Sequence, residues 1–248
     1  MRLTVLGSGT CVPSVERNAP GYHLEIGGTQ LLVDCGSGTV RQLERAGRSY
    51  RDIGFVFISH THPDHVADLL PLLHALVSSP GYVREMDLVI AGPSGMGYYY
   101  DHCVSPLIRE PDSFKIEVRE MERAADFGDF HVTSVKTVHS YNSIAYRFAR
   151  GEKSVVVTGD CDFHEDIVSL SRGADLLVID CSFPDVLKVP GHLTPAECGM
   201  VAQKAGVKKV ILSHIYPTKY PDGVRLEEFR AACDGEVEMA HDLMEVEV

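Results

Sequence analysis

The sequence predicts a mixed fold of the α/β or α+β class, with a large and partly antiparallel sheet content. Apolar runs of strand length recur along all 248 residues, with helical patterns between them. No linker, charge block or low-complexity segment divides the chain, so residues 1–248 are expected to form a single domain. Hydrophobic residues make up 44% and charged residues 23%, a balance with which a soluble chain can bury a sizeable core.

Strands are expected first at Leu3–Leu6, His23–Ile26, Gln30–Val33, Phe55–Ile58 and Leu88–Ile90, where β-branched and aromatic residues cluster between turn formers. Val66–Val77 is too long and too leucine-rich for a strand and reads as a buried helix. Further strands are expected at Lys115–Val118, His131–Val138, Ile144–Phe148, Ser154–Val157, Leu176–Ile179 and Lys209–Leu212. Thr194-Pro195-Ala196-Glu197 combines an N-cap, a proline at the first helical position and a capping-box glutamate. That helix is expected to reach Ala205 and stop at Gly206.

The seven cysteines are scattered without a C-x-x-C pair, so neither a disulfide framework nor a zinc knuckle is indicated and reduced thiols are expected. The amino-terminal segment meets glycine before a signal-peptide core could form, and no apolar stretch is long enough to cross a bilayer. A soluble, cytoplasmic protein without membrane contact is expected. A net charge of −12 argues against extended nucleic acid as a partner, because backbone tracking needs cations that release counterions.

The strongest chemical signal is Ser59-His60-Thr61-His62-Pro63-Asp64-His65, between an apolar strand and an apolar helix. Residues two apart in extended chain point the same way, so His60 and His62 can grip one cation. Pro63 breaks the extension and lets Asp64 and His65 turn toward a second. Imidazole and carboxylate ligands without thiolate fit a catalytic zinc site with an open position, and manganese or iron would also be accepted. His139, Asp160 and His214 each follow an apolar strand, so strand ends on a common sheet edge could bring them to the same place.

These residues resemble the metallo-β-lactamase superfamily and, within it, the ribonuclease Z branch, over nearly the whole chain. Leu6-Gly-Ser-Gly-Thr-Cys-Val-Pro-Ser-Val-Glu-Arg-Asn18 looks like that branch's opening loop, and Leu31-Leu-Val-Asp-Cys-Gly-Ser-Gly-Thr39 like its first acidic motif. Ala91-Gly-Pro-Ser-Gly95, Thr158-Gly-Asp160, Gly191-His-Leu-Thr194, Ile211-Leu-Ser-His214 and the closing stretch His241–Val248 continue the match. The resemblance implies a four-layer αβ/βα sandwich, two mixed sheets packed together with helices outside. It also implies two divalent ions, one on His60, His62 and His139, the other on Asp64, His65 and His214, with Asp160 bridging. Asp34 would steady the histidine loop, since ligating imidazoles need a partner for their other nitrogen, although an aspartate before glycine is also a plain turn residue. A homodimer is expected by resemblance alone.

Two close divalent ions lower the pKa of a shared water and neutralise charge on a phosphoryl or acyl oxygen. The leaving oxygen still needs a proton, and His192 is the candidate donor. In ribonuclease Z-like enzymes the matching histidine pairs with an acidic residue, normally glutamate; here Asp180 stands there, within Asp-Cys-Ser. That triplet also resembles the small cyclic-phosphate diesterases of phosphonate catabolism. The catalytic set is thus His192, Asp180 and Asp64, the last also a metal ligand. Lys219 lies near the family's phosphate-contacting arginine and could supply a point charge.

Ribonuclease Z carries a long tRNA-gripping arm before the bridging aspartate. Here Ala145–Val157 passes from strand to strand through a tight turn, so that arm is missing. The expectation is a metal-dependent hydrolase, a phosphodiesterase acting on small or cyclic phosphodiesters. The alternatives are ribonuclease Z-type tRNA 3′-end cleavage, hydrolysis of a lactone, thioester or sulfate ester, and a non-catalytic metal-binding module.

Overall fold

A computed structural model describes every residue, Met1–Val248. Two seven-stranded sheets face each other. The first contains β1 (Arg2–Gly7), β2 (Gly21–Ile26), β3 (Thr29–Cys35), β4 (Ile53–Phe57), β5 (Leu88–Gly92) and β6 (Ile116–Glu120), with the last strand of the chain, Glu245–Glu247, beside β1. The second is built from β7 (Ala124–Phe127), β8 (Phe130–Lys136), β9 (Ile144–Arg150), β10 (Lys153–Val157), β11 (Leu176–Asp180), β12 (Lys209–Ser213) and β13 (Glu236–Met239). Its spatial order reverses the sequence order, and the final strand, in the first sheet, is β14 (Glu245–Glu247). Parallel pairings (β3–β4–β5–β6 and β10–β11–β12–β13) and antiparallel ones coexist in both sheets.

Side-chain alternation explains why the strands read as continuous apolar runs. In β11, Leu176 and Val178 point into the core between the sheets, whereas Leu177 and Ile179 meet the outer helices. In β3, Leu31 and Val33 face inward and Leu32 outward. A strand buried on both faces loses the polar alternation that marks a half-exposed one. The inner core includes Phe57, Phe127, Phe130, Tyr146 and Phe148, with Phe57 edge-on to Phe127, Tyr146 and Phe148 at 5.0–5.5 Å between ring centres.

The outer layers are helical. On the first sheet lie α1 (Thr39–Arg45), α2 (Pro63–Val66), α3 (Leu69–Ser78) and α4 (Met96–Tyr99); on the second lie α5 (Glu165–Ser171), α6 (Pro195–Ala205) and α7 (Asp222–Ala232). The helix expected over Val66–Val77 starts later, as α3 at Leu69, and Val66 instead ends the one-turn α2. Pro71 has no N–H for the carbonyl of Ala67, so it is tolerated only in the first turn of a helix that starts afresh at Leu69. The Asp68 N–H is instead committed to the Cys35 carbonyl at 2.9 Å. Its buried face is a stripe (Leu69, Leu72, Leu73, Leu76), so the helix is amphipathic and not buried all round. α6 spans the expected residues, capping box and Gly206 terminator included.

Strands β3, β4, β8, β10, β11 and β12 all end on one edge of the sandwich, which carries the candidate site. Three cross-sheet bonds clamp that edge: Ile144 N–H to Ser59 carbonyl at 2.9 Å, Tyr146 hydroxyl to Ile58 carbonyl at 2.7 Å, and Tyr22 hydroxyl to Ser213 Oγ at 2.7 Å. No helix is long and apolar enough to cross a membrane.

Candidate metal centre and active site

The segment after β4 delivers His60, His62, Asp64 and His65, and close backbone approach holds it in place. Gly36 packs against the Asp64 carbonyl and Gly159 against the Ser59 side chain, so a Cβ at either would collide. Asp34, at the end of β3, and His214, after β12, are non-glycine residues with φ of 59°. Such conformations cost about 1–3 kcal/mol each and persist where surrounding bonds impose them.

Asp160, after β10, sits at the middle. Its Oδ2 faces His60 Nε2 at 3.8 Å and His139 Nε2 at 3.4 Å. His62 Nδ1 completes this first group, 2.9 Å from His60 Nε2 and 3.1 Å from His139 Nε2. Asp160 Oδ1 faces the other way, 3.1 Å from His65 Nε2 and 3.2 Å from His214 Nε2. Asp64 Oδ2 lies 3.7 Å from both of those nitrogens. One carboxylate thus divides two three-residue pockets, His60/His62/His139 and Asp64/His65/His214, each with the spacing to hold a cation.

The Asp64/His65/His214 pocket passes a test of fit. Asp160 Oδ1, His65 Nε2 and His214 Nε2 are buried and none has a hydrogen-bonding partner, although they converge. Buried polar atoms left unpaired are costly, and a divalent ion among them would satisfy all three. The outer nitrogens are, by contrast, already placed. His65 Nδ1 meets Asp34 Oδ2 at 2.8 Å, His60 Nδ1 meets Ser59 Oγ at 3.1 Å, and His139 Nδ1 donates to the Gly191 carbonyl at 3.0 Å. Asp34 also accepts from the Ser59 N–H at 2.7 Å and its hydroxyl at 2.8 Å. The turn-residue alternative for Asp34 does not account for three bonds into the histidine loop.

Electrostatics within the cluster pull in opposite directions. Burial, reinforced by His65, pushes His60 well below the usual imidazole range. Burial would lower His65 too, but the carboxylates of Asp160 and Asp34 outweigh it and push it well up. Burial would raise Asp160, but His214 and His65 hold it well below the carboxylate range, so it stays ionised.

His192, after β11 and before α6, is brought against this centre. Its Nδ1 lies 2.8 Å from Asp180 Oδ2, and its ring stacks on His214 at 5.4 Å between centres. Burial lowers its pKa, but the hydrogen bond and charge of Asp180 raise it further. Asp160, Asp180, His192 and His214 also cluster closely enough for a cation. Asp180 is already saturated there, accepting from Cys161 N–H, Ser182 N–H and Ser182 Oγ as well as His192, so that group is a hydrogen-bonded pair and not a third metal pocket.

Lys219 is not brought to the site. Thr218 Oγ1 accepts the Tyr220 N–H and turns the loop, and the exposed Lys219 ammonium rests over the Tyr220 ring at 5.4 Å. Residues of its loop that do reach the cleft, Tyr216 and Tyr220, went unremarked in the sequence. Beside Asp64 opens a cleft of about 340 Å³ lined by Cys11, Arg17, Asn18 and Ser37 among others, and a second of about 300 Å³, lined by Tyr216 and Tyr220, adjoins it at Val12, Ser14 and Arg17. Arg17 is already bound to Asp222 at 2.5 Å, to Ser8 Oγ and to the Ala240 carbonyl. Tyr216 and Phe183 stack at 4.6 Å and lie edge-on to His192. Signals existed: Ser59, Ser182 and Tyr216 each stand one or two residues from a named ligand or acid, but nothing local distinguishes them from ordinary loop residues.

Residues 29–215 match the family model described as the beta-lactamase superfamily domain. The chain is 28% identical to a ribonuclease Z of Archaeoglobus fulgidus, covering 100% of this chain and 97% of the relative. That alignment runs over 312 positions against 248 residues here, so at least 64 positions are occupied only by the relative. A protein of Bacillus subtilis named probable metallo-hydrolase YhfI is 28% identical over 247 positions, 97% of each chain. The crystal structure of YhfI superposes with a TM-score of 0.87 at 27% identity, over 99% of this chain and 98% of that one. The short form of human tRNase Z shares the fold, with a TM-score of 0.82 at 24% identity over 100% of this chain and 99% of that one. By sequence, by architecture and by the arrangement of its histidines and aspartates, the chain belongs to the metallo-β-lactamase superfamily, in its ribonuclease Z-like branch.

Proposed function

We propose that the protein is a dinuclear metal-dependent hydrolase that cleaves small or cyclic phosphodiesters. The observation that carries the reading is Asp160, whose two oxygens face two separate sets of ligating atoms, and whose Oδ1 is buried and unpaired together with the His65 Nε2 and His214 Nε2 it faces. His60, His62 and His139 would hold one divalent ion, Asp64, His65 and His214 the other, and Asp160 both; zinc suits the donor set, with manganese or iron as alternatives. When bound, such ions activate water and offset charge developing on the phosphoryl oxygens.

The chain's own residues supply the rest. Asp180 accepts the Nδ1 proton of His192 and so leaves Nε2 free to pass a proton to the leaving oxygen, the role of a general acid. Asp64 would hold a metal on one side and borders the cleft on the other. Phe183 and Tyr216 beside His192 keep the leaving-group side apolar and exclude water.

Small size of the substrate is supported by what surrounds the cleft. β9 and β10 are joined across Arg150–Lys153 as a tight hairpin, where a tRNA-gripping arm would have to emerge. The lining arginines are committed, Arg17 to Asp222 and the buried Arg225 to two backbone carbonyls. A folded RNA would therefore meet few free cations on an acidic body. Ribonuclease Z-type cleavage is the second reading, favoured by the full-length likeness to that family. The same proposal takes residues 1–248 as one domain, working as a homodimer in the cytoplasm; light scattering that returns a monomer at micromolar concentration would remove the dimer.

A panel of bis-aryl phosphate, lactone and aryl sulfate, run in competition with precursor tRNA, tests the substrate class. The diester should be hydrolysed fastest, with weak dependence on salt. A large advantage for tRNA in specificity constant would restore the second reading.

A further inference from the structure

Ser182 lies two residues beyond Asp180 and is fully buried. Its hydroxyl stands 2.6 Å from Asp180 Oδ1, 3.0 Å from His214 Nδ1 and 3.1 Å from His192 Nδ1. A hydroxyl offers one proton and two lone pairs. An ionised carboxylate cannot donate, so the shortest of these contacts takes the hydroxyl proton. The lone pairs then face the two imidazoles. His192 has a shorter partner in Asp180 Oδ2, at 2.8 Å. His214 Nδ1 has none, since Asp180 Oδ1 is 3.8 Å away. The proton on His214 must therefore sit on Nδ1 and point at Ser182. That leaves the bare lone pair of Nε2 facing Asp64 and Asp160.

We infer that Ser182 is a positioning residue that fixes His214 in its ligating tautomer and ties the Asp64/His65/His214 pocket to the His192–Asp180 pair. Asp180 thereby serves two histidines: His192 directly, and His214 through a hydroxyl that its carboxylate polarises. The backbone at Ser182 is itself held, because the buried Arg225 guanidinium donates at 3.1 Å to both the Ser182 and the Tyr216 carbonyls. That bond locks the loop after β11 to the loop after β12, so neither His192 nor His214 can drift alone. The inference rests on the metal-site reading above for the ligand role of His214.

The test is metal affinity of the full chain, with Ser182→Ala and Ser182→Thr. Loss of an outer partner to a ligating imidazole weakens metal binding by roughly 10–100-fold. Competition with a chromophoric chelator should show that loss for one zinc ion in Ser182→Ala and not in Ser182→Thr, which keeps the hydroxyl. A purely structural role would lower the melting temperature and leave both affinities at wild-type values, and that result overturns the inference. Where Ser182→Ala fails to fold, histidine NMR of the metal-loaded wild type decides. A His214 Nδ1 proton shifted downfield and protected from exchange supports the bond, and one in free exchange overturns it. The titration needs no substrate, so an inactive wild type would count against the phosphodiesterase reading while Ser182 is still judged on metal.

Discussion

The two halves of the centre are built differently. His60 and His139 have neutral outer partners, a serine hydroxyl and a backbone carbonyl, and His62 is exposed. His65 and His214 are buried, and carboxylates stand behind them, Asp34 in direct contact and Asp180 by way of Ser182. A carboxylate behind an imidazole raises its basicity and fixes its ring, so a more buried and better-anchored pocket should bind its ion more tightly. If two ions bind as proposed, asymmetry of this kind would let one stay while the other, beside the exposed His62, exchanges more readily.

The largest expected effect comes from the residue both halves share. Asp160→Ala should empty both pockets and abolish hydrolysis, as read by elemental analysis and turnover together. Loss of a single ion would show that Asp160 belongs to one half only. His192→Ala should lower turnover by ~10²–10⁴ with metal content unchanged, and by less for diesters whose leaving groups need no proton. An equal loss for good and poor leaving groups would take the acid role away from His192. Asp34→Ala should weaken one ion by roughly 10–100-fold and leave the other in place. Stepwise chelation of the wild type should remove the ion of the His60/His62/His139 pocket first, which loss of one histidine set from a metal-sensitive NMR spectrum would reveal; the reverse order would invert the comparison. The smallest effect is expected at Lys219, which stands outside both halves. Lys219→Ala should stay within about 0.5 kcal/mol of wild-type stability and keep full activity, and a clear loss of activity would bring the lysine back to the cleft.

Local spacing made much of this legible. Four potential ligands within His60–His65 need only the alternation of extended chain and the break at Pro63 to point at cations. Strands such as Leu176–Asp180, buried on both faces, announce themselves by apolar content, and α6 by its capping box. β7 and β14 do not, because these short edge strands bury little: only Phe127 and Val246 of the two are buried. Helix α7 was missed for the same reason, with only Arg225 and Phe229 buried along it. Pro71 was in plain view, yet its consequence depended on where the Asp68 N–H found its acceptor, across the chain at Cys35.

The sequence alone determined which residues could ligate, because donor atoms and their short-range spacing are local properties. The tertiary structure decided how they are shared. Which oxygen of Asp160 meets which histidines depends on two sheets closing on each other through bonds such as Tyr22 to Ser213, 191 residues apart. That Lys219 turns outward onto Tyr220, and that Ser182 sits between an acid and two imidazoles, are likewise consequences of long-range packing. Hydrogen bonds reach about 3 Å and care nothing for sequence distance, so only the folded chain could assign them.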